Sequence, residues 1–218
     1  MRVCIDIAMF PILLTALAFR ITGGLAHEWT GIFAAILFLM HNILNLRWHK
    51  GVLKGRFNFK RLLNTAVNFS LVILAATILS TGILASAHIF GFGNHFNGME
   101  LRKIHSVSAY WLLIGVSMHI GLHWDMILAR IPRCAFLSGK IARIALLLIL
   151  PFGIWAWIER NMTGKLFLGY SFDFHEGGAT LFFFENLVIA ALVALLMRLA
   201  SKIPDIIFSK TKKQKEKI

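Results

Sequence analysis

Charge is what this chain has least of. Asp, Glu, Lys and Arg together make up 15% of its 218 residues, while 58% are apolar. An ordinary soluble domain carries about 25% charged residues, so the composition argues against a freely soluble globular fold. Cysteine is nearly absent: Cys4 and Cys134 are the two in the chain, too few for a disulfide framework. Carboxylates are almost missing from the apolar stretches, which removes the oxygen ligands a bare divalent ion would want. A nucleotide-binding loop is missing as well. GFGNHFNG, residues 91–98, joins two apolar runs and lacks the strand–turn–helix setting of a dinucleotide fingerprint.

What the chain does have is long apolar runs. Six lie at about 4–22, 28–46, 62–86, 104–128, 141–158 and 180–201, each within or near the roughly 17–25 residues that span a bilayer as a helix. The predicted fold is all-α: a polytopic membrane helix bundle of about six transmembrane helices joined by short loops. Ala16-Leu17-Ala18 imitates a leader cleavage site, but Asp6 spoils the basic start such a leader needs, so the first run is expected to stay as a helix. The net charge of +13 would fit a nucleic-acid binder if it were spread over a surface. It is not. Eighteen of the 23 basic residues fall at Arg2, between the second and third runs, after the fourth, or at and beyond the sixth. That is the positive-inside pattern. It predicts a multi-pass protein of a prokaryotic cell membrane with both termini cytoplasmic, in contact with the lipid bilayer and not with nucleic acid. The basic tail at 204–218 either flanks the last span or touches anionic lipid. Both cysteines then lie on the cytoplasmic side, where thiols stay reduced.

The chain also repeats itself. HEWTGIFAAILFLMH at 27–41 and HSVSAYWLLIGVSMH at 105–119 have the same length and the same two ends. Thr22-Gly23 and Thr81-Gly82 close the preceding run in each case, and Trp48 and Trp124 follow, suited to an interfacial belt. The repeat unit is a helix pair, about 4–50 and about 62–128. Residues 1–130 therefore form a four-helix core, and 131–203 add two further helices.

Fourteen residues of helix separate the two histidines of each repeat by about 21 Å and leave them roughly 40° apart around the axis, on one face. His27 and His105 then sit near the outer surface, His41 and His119 near the inner one. On facing parallel helices each pair offers two imidazoles to one iron, which describes two stacked, non-covalent b-type haems. Covalent c-type attachment is not expected, because no C-x-x-C-H occurs. Two axial imidazoles leave no open iron position, which points to electron transfer rather than oxygen chemistry. Gly31 and Gly115 lie one turn from His27 and His119, with Ala34, Ala35, Ser108 and Ala109 further along. They either clear space for a flat macrocycle or serve ordinary helix packing. Arg20 either pairs with a propionate or snorkels to the interface; Arg47 and Lys50 are similar candidates at the inner end. His123, one turn beyond His119, is an alternative inner ligand or a neighbouring hydrogen-bonding group. His88 and His95 compete weakly for the outer iron, and His49 and His175 read as interfacial and solvated.

The segments AHEWTGIFAAILFLMHNILNLRWHK, NGMELRKIHSVSAYWLLIGVSMHIGLHW and YSFDFHEGGATLFFFENLVIAALVALLMRL resemble the flavinylation-associated cytochrome family, once catalogued as a domain of unknown function. That family is similar to the di-haem four-helix core of cytochromes b. The resemblance implies a transmembrane electron conduit whose histidines match His27, His41, His105 and His119, and an extracytoplasmic flavin-carrying redox protein as partner. It implies an electron-carrier subunit of an oxidoreductase system, not a stand-alone enzyme. DFHEGGAT, ending at Thr180, imitates a flavin-attachment motif, but Gly177 replaces its Ser or Thr and the Asp is displaced, so no covalent flavin is expected. Electrons must then enter and leave through partners, a quinone or a soluble donor. Two other readings stand beside this one: a metal-ion or solute transporter using the membrane histidines, and a membrane anchor without haem.

Overall fold

A computed structural model describes residues 2–52, 58–92, 98–130, 139–167 and 178–215. Every secondary-structure element among them is helical. In chain order they are α1 (Arg2–Leu17), α2 (Phe19–Thr22), α3 (Gly24–Leu44), α4 (Leu46–Gly51), α5 (Phe59–Ala85), α6 (Met99–Leu122), α7 (Trp124–Arg130), α8 (Gly139–Glu159), α9 (Met162–Phe167) and α10 (Ala179–Lys215). The long helices occupy the six apolar runs, and the short ones sit at their ends.

The helix boundaries have local causes. Helix α1 stops at Leu17, α2 adds a single turn, and Gly23 at φ 79° reverses the chain directly into α3. An L side chain rarely adopts that φ, whereas glycine does so without cost. Helix α5 starts at Asn58, whose side chain caps the helix by accepting from the Arg61 amide at 2.8 Å. Helix α10 does not end with its apolar run. It continues to Lys215, so the basic tail begins as an extension of the last helix; lysine and glutamine are good helix formers.

Two helices, Phe59–Ala85 and Ala179–Lys202 within α10, are long and apolar enough to cross a membrane, with mean hydropathies of 2.0 and 2.2. Helix α3 has 21 residues, enough length for a bilayer core, but His27, Glu28, His41 and Asn42 interrupt it. Helix α6 carries Glu100, Arg102, Lys103, His105 and His119 in the same way. The polar residues that dilute these two helices include the candidate site.

Packing is uneven. Helix α3 lies along α1, α5 along α6, and α10 along both α6 and α8. The main apolar core forms where α1, α6, α8, α9 and α10 meet, around Leu14, Leu113, Ala156, Met162 and Ile189. Gly121 lets α6 and α10 touch: a Cβ there would come 2.2 Å from the Ala194 carbonyl oxygen. The two hairpins, α1–α3 and α5–α6, meet each other much more sparsely. Helix α3 has no buried residue at all. One of its faces is an apolar stripe, exposed at Leu25, Trp29, Phe33, Ile36, Met40 and Ile43, as a lipid-facing helix would present. Its histidine-bearing face is only half covered.

Candidate functional site: two tiers of anchored histidines

At the outer tier, α3 and α6 bring His27 and His105 together. Their ring centroids are 6.0 Å apart and the planes stand at 74°. Two imidazole–metal bonds of about 2 Å each, with each ring centre about 1.1 Å behind its nitrogen, would place centroids about 6 Å apart. The spacing fits one metal between two rings. Phe19 packs edge-on against His27 at 5.2 Å.

Each of these rings is held through Nδ1. His27 Nδ1 donates to the Ala16 carbonyl at 2.9 Å, one of the last-turn carbonyls of α1 that lack helical partners. His105 Nδ1 donates to Thr81 Oγ1 at 3.0 Å. The Thr81 hydroxyl proton is already given to the Thr77 carbonyl at 2.7 Å, so toward His105 the oxygen accepts. Gly82 stands beside the same ring: a Cβ there would lie 3.2 Å from His105 Cε1. Thr81 orients the imidazole, and Gly82 makes room for it.

At the other tier, expected to be the inner one, the Nδ1 anchoring recurs. His41 Nδ1 donates to Asp6 Oδ1 at 2.7 Å, and His119 Nδ1 to Asn68 Oδ1 at 2.7 Å. The His123 ring is 4.5 Å from that of His119, so His123 belongs to the inner environment. In each hairpin the first helix supplies both acceptors (Asp6 and Ala16; Asn68 and Thr81) and the second supplies both histidines. With Nδ1–H engaged, Nε2 is the lone-pair nitrogen on all four rings, which is how a metal-ligating histidine is commonly oriented.

Other predicted residues divide. A Cβ on Gly31 would meet nothing within 4 Å, so the flank of α3 is open there. Gly115 lies against α5: a Cβ on it would come 2.9 Å from Leu71 Cδ2, in keeping with the helix-packing alternative. Arg20 lies within α2 in an exposed position. His49 bonds Asn42 at 3.1 Å on the inner end of α3. His88 lies over Gly24, where a Cβ would come 2.8 Å from its Nε2. Cys134, His95, His175, Glu176 and Gly177 lie outside the described residues.

Beside the inner tier a recess of about 350 Å³ opens between α5 and the end of α6, lined by Asn58, Lys60, Arg61, Asn64, Leu122, His123, Asp125 and Met126. Asn64 Oδ1 is buried there with no hydrogen-bond partner among the described residues.

Sequence reasoning also missed a charged cluster at the opposite end. Arg160, between α8 and α9, pairs with Glu185 of α10; the two side chains are 3% and 0% exposed. Arg160 stacks over Phe182 at 4.7 Å, and buried Lys165 over Tyr110 at 5.0 Å. Arg160 and Glu185 are 25 residues apart on different elements, so no periodic pattern links them. The Trp111 indole donates to the Leu166 carbonyl at 3.0 Å, which holds α9 against α6.

No protein family, curated protein or solved structure was found to match this chain.

Proposed function

We propose that the protein is a di-haem b-type membrane cytochrome, a multi-pass electron conduit between a donor on the cytoplasmic side and an extracytoplasmic flavoprotein. One observation carries the reading: four histidines in two tiers, each with Nδ1 fastened by an acceptor on the preceding helix. A structural histidine needs one satisfied nitrogen. Four rings presenting the same nitrogen at two depths is what paired axial ligation requires.

Haem bound in each tier would supply one-electron iron chemistry. The protein's own part is to hold and orient. His27 and His105 would ligate the outer haem, His41 and His119 the inner one. The thin contact between the hairpins and the open flank at Gly31 support a flat group lying between them. Anchoring Nδ1 costs no rearrangement when Nε2 takes a metal, and the rigid helices hold each ring in place during electron transfer. Asp6 gives His41 an anionic acceptor, whereas Ala16, Thr81 and Asn68 are neutral, so the tiers differ electrostatically.

A porphyrin brings four of its own nitrogens and asks the protein for two, which is what a pair of histidines offers. A lipid-soluble quinol is the inner donor this reading favours. The recess beside His119 and His123 is large enough for its head group, and it offers amide, imidazole and ammonium groups. With both termini cytoplasmic, the outer tier faces the flavoprotein.

Single substitutions test the ligand assignment. His27→Ala, His41→Ala, His105→Ala and His119→Ala should each leave about one haem of two, and His123→Ala should keep both, by pyridine haemochrome assay of the purified proteins. Loss on changing His123 but not His119 would overturn the inner assignment.

A further inference from the structure

Glu28 follows His27 at the start of the second turn of α3, and its carboxylate is fully engaged. Oε2 accepts from Ser86 Oγ at 2.7 Å and from the Ile89 amide at 2.8 Å. Oε1 accepts from the Ala87 and His88 amides at 3.0 and 3.2 Å. Three successive backbone N–H groups thus converge on one anion, forming an anion nest. Ser86 Oγ accepts in turn from the Phe90 amide at 2.9 Å, which ties the loop to itself. His88 lies over Gly24, one turn before Glu28.

The ends of this connection are specific. Glu28 is adjacent to His27. Ser86 lies one to two turns beyond Thr81 and Gly82, the two residues that seat His105. The Nδ1 anchors of the four histidines all act within a hairpin, whereas Glu28 acts between hairpins, where packing is thin. We propose that Glu28 is the positioning residue of the outer tier: its carboxylate, clamped by the 86–89 loop, sets the separation and mutual angle of His27 and His105. This rests on the di-haem reading for its consequence, but the clamp itself does not depend on haem.

The geometry has a spectroscopic correlate. If His27 and His105 ligated one iron while keeping their present interplanar angle of 74°, two iron d orbitals would be nearly degenerate. The low-spin ferric signal is then strongly anisotropic and lies at high g. Releasing α3 from the loop lets the planes rotate and splits those orbitals.

The test uses full-length protein in nanodiscs, comparing wild type with Glu28→Ala, Glu28→Gln and Ser86→Ala. Hydrogen exchange of the 87–89 amides is read first, on haem-free protein. It should rise at least about tenfold in Glu28→Ala, since hydrogen bonds to a charged group contribute more than that factor; unchanged exchange overturns the clamp whether or not haem binds. On haem-loaded protein, the outer low-spin signal should shift toward lower anisotropy and the inner signal should stay. Glu28→Gln and Ser86→Ala, which disturb fewer bonds, should give smaller shifts in the same direction, and they decide the matter if Glu28→Ala does not fold. Raised exchange with an unmoved outer signal would overturn the positioning role.

Discussion

Asp6 offers the sharpest perturbation of the inner tier. Replacing it with Asn keeps the shape and leaves an oxygen that still accepts from His41 Nδ1, so the change is mainly one of charge. A metal on His41 Nε2 would sit about 7 Å from that carboxylate. A unit charge at this distance is worth about 2.4 kcal/mol at an effective dielectric of 20, and about 0.6 kcal/mol in water. Asp6 is 41% exposed and His41 28% exposed, so screening places the effect in the lower half of that range, about 0.6–1.4 kcal/mol. The anion favours the more positive, oxidised state. Its removal therefore raises the midpoint potential of the inner haem, by about 25–60 mV for one electron. Potentiometric titration followed optically would resolve the two haems, and the step that disappears in His41→Ala identifies the inner one. An inner step that does not move, or an outer step that moves in its place, would refute this reasoning.

Three further perturbations follow from the geometry. Gly82→Val places branched carbon where even a Cβ would lie 3.2 Å from His105 Cε1; outer-haem occupancy should fall by at least half in the haemochrome assay while the inner haem remains. Arg160→Met leaves buried Glu185 without its cation, and breaking a buried pair from one side costs about 3–5 kcal/mol; the thermal midpoint in detergent should drop by several degrees with the haem spectrum of the folded fraction unchanged. Gly121→Leu forces α6 off α10, where a Cβ would already lie 2.2 Å from the Ala194 carbonyl oxygen; overpacking of this kind costs about 1–3 kcal/mol or more, visible as lower yield of folded protein and a lower midpoint.

The approach of His27 to His105 was legible in the sequence because helical rise and periodicity turn a fourteen-residue spacing into two levels on one face. The residues that fasten them were not. Asp6 drew notice only as a residue that spoils a leader. Asn68 resembles any polar residue inside an apolar helix, and the Ala16 acceptor is a backbone carbonyl with no side-chain signal. Thr81-Gly82 was visible as a repeated dipeptide, yet its two tasks depend on which way α5 faces α6. Thr22-Gly23 does not repeat those tasks: Thr22 bonds its own helix at Ala18, and Gly23 makes the turn. Gly115 kept two readings for the same reason, since spacing from His119 fixes its height and does not reveal that Leu71 lies beside it. The Glu28 nest and the Arg160–Glu185 pair join segments across loops, beyond the reach of any periodic pattern.

Haem content and coordination of the full-length protein, produced with ample haem supply and purified in mild detergent, test the central claim most directly. The account predicts two b-type haems per chain, both six-coordinate and low-spin, with a sharp reduced-minus-oxidised spectrum. A colourless protein, or one whose haem is five-coordinate and binds carbon monoxide, would contradict it.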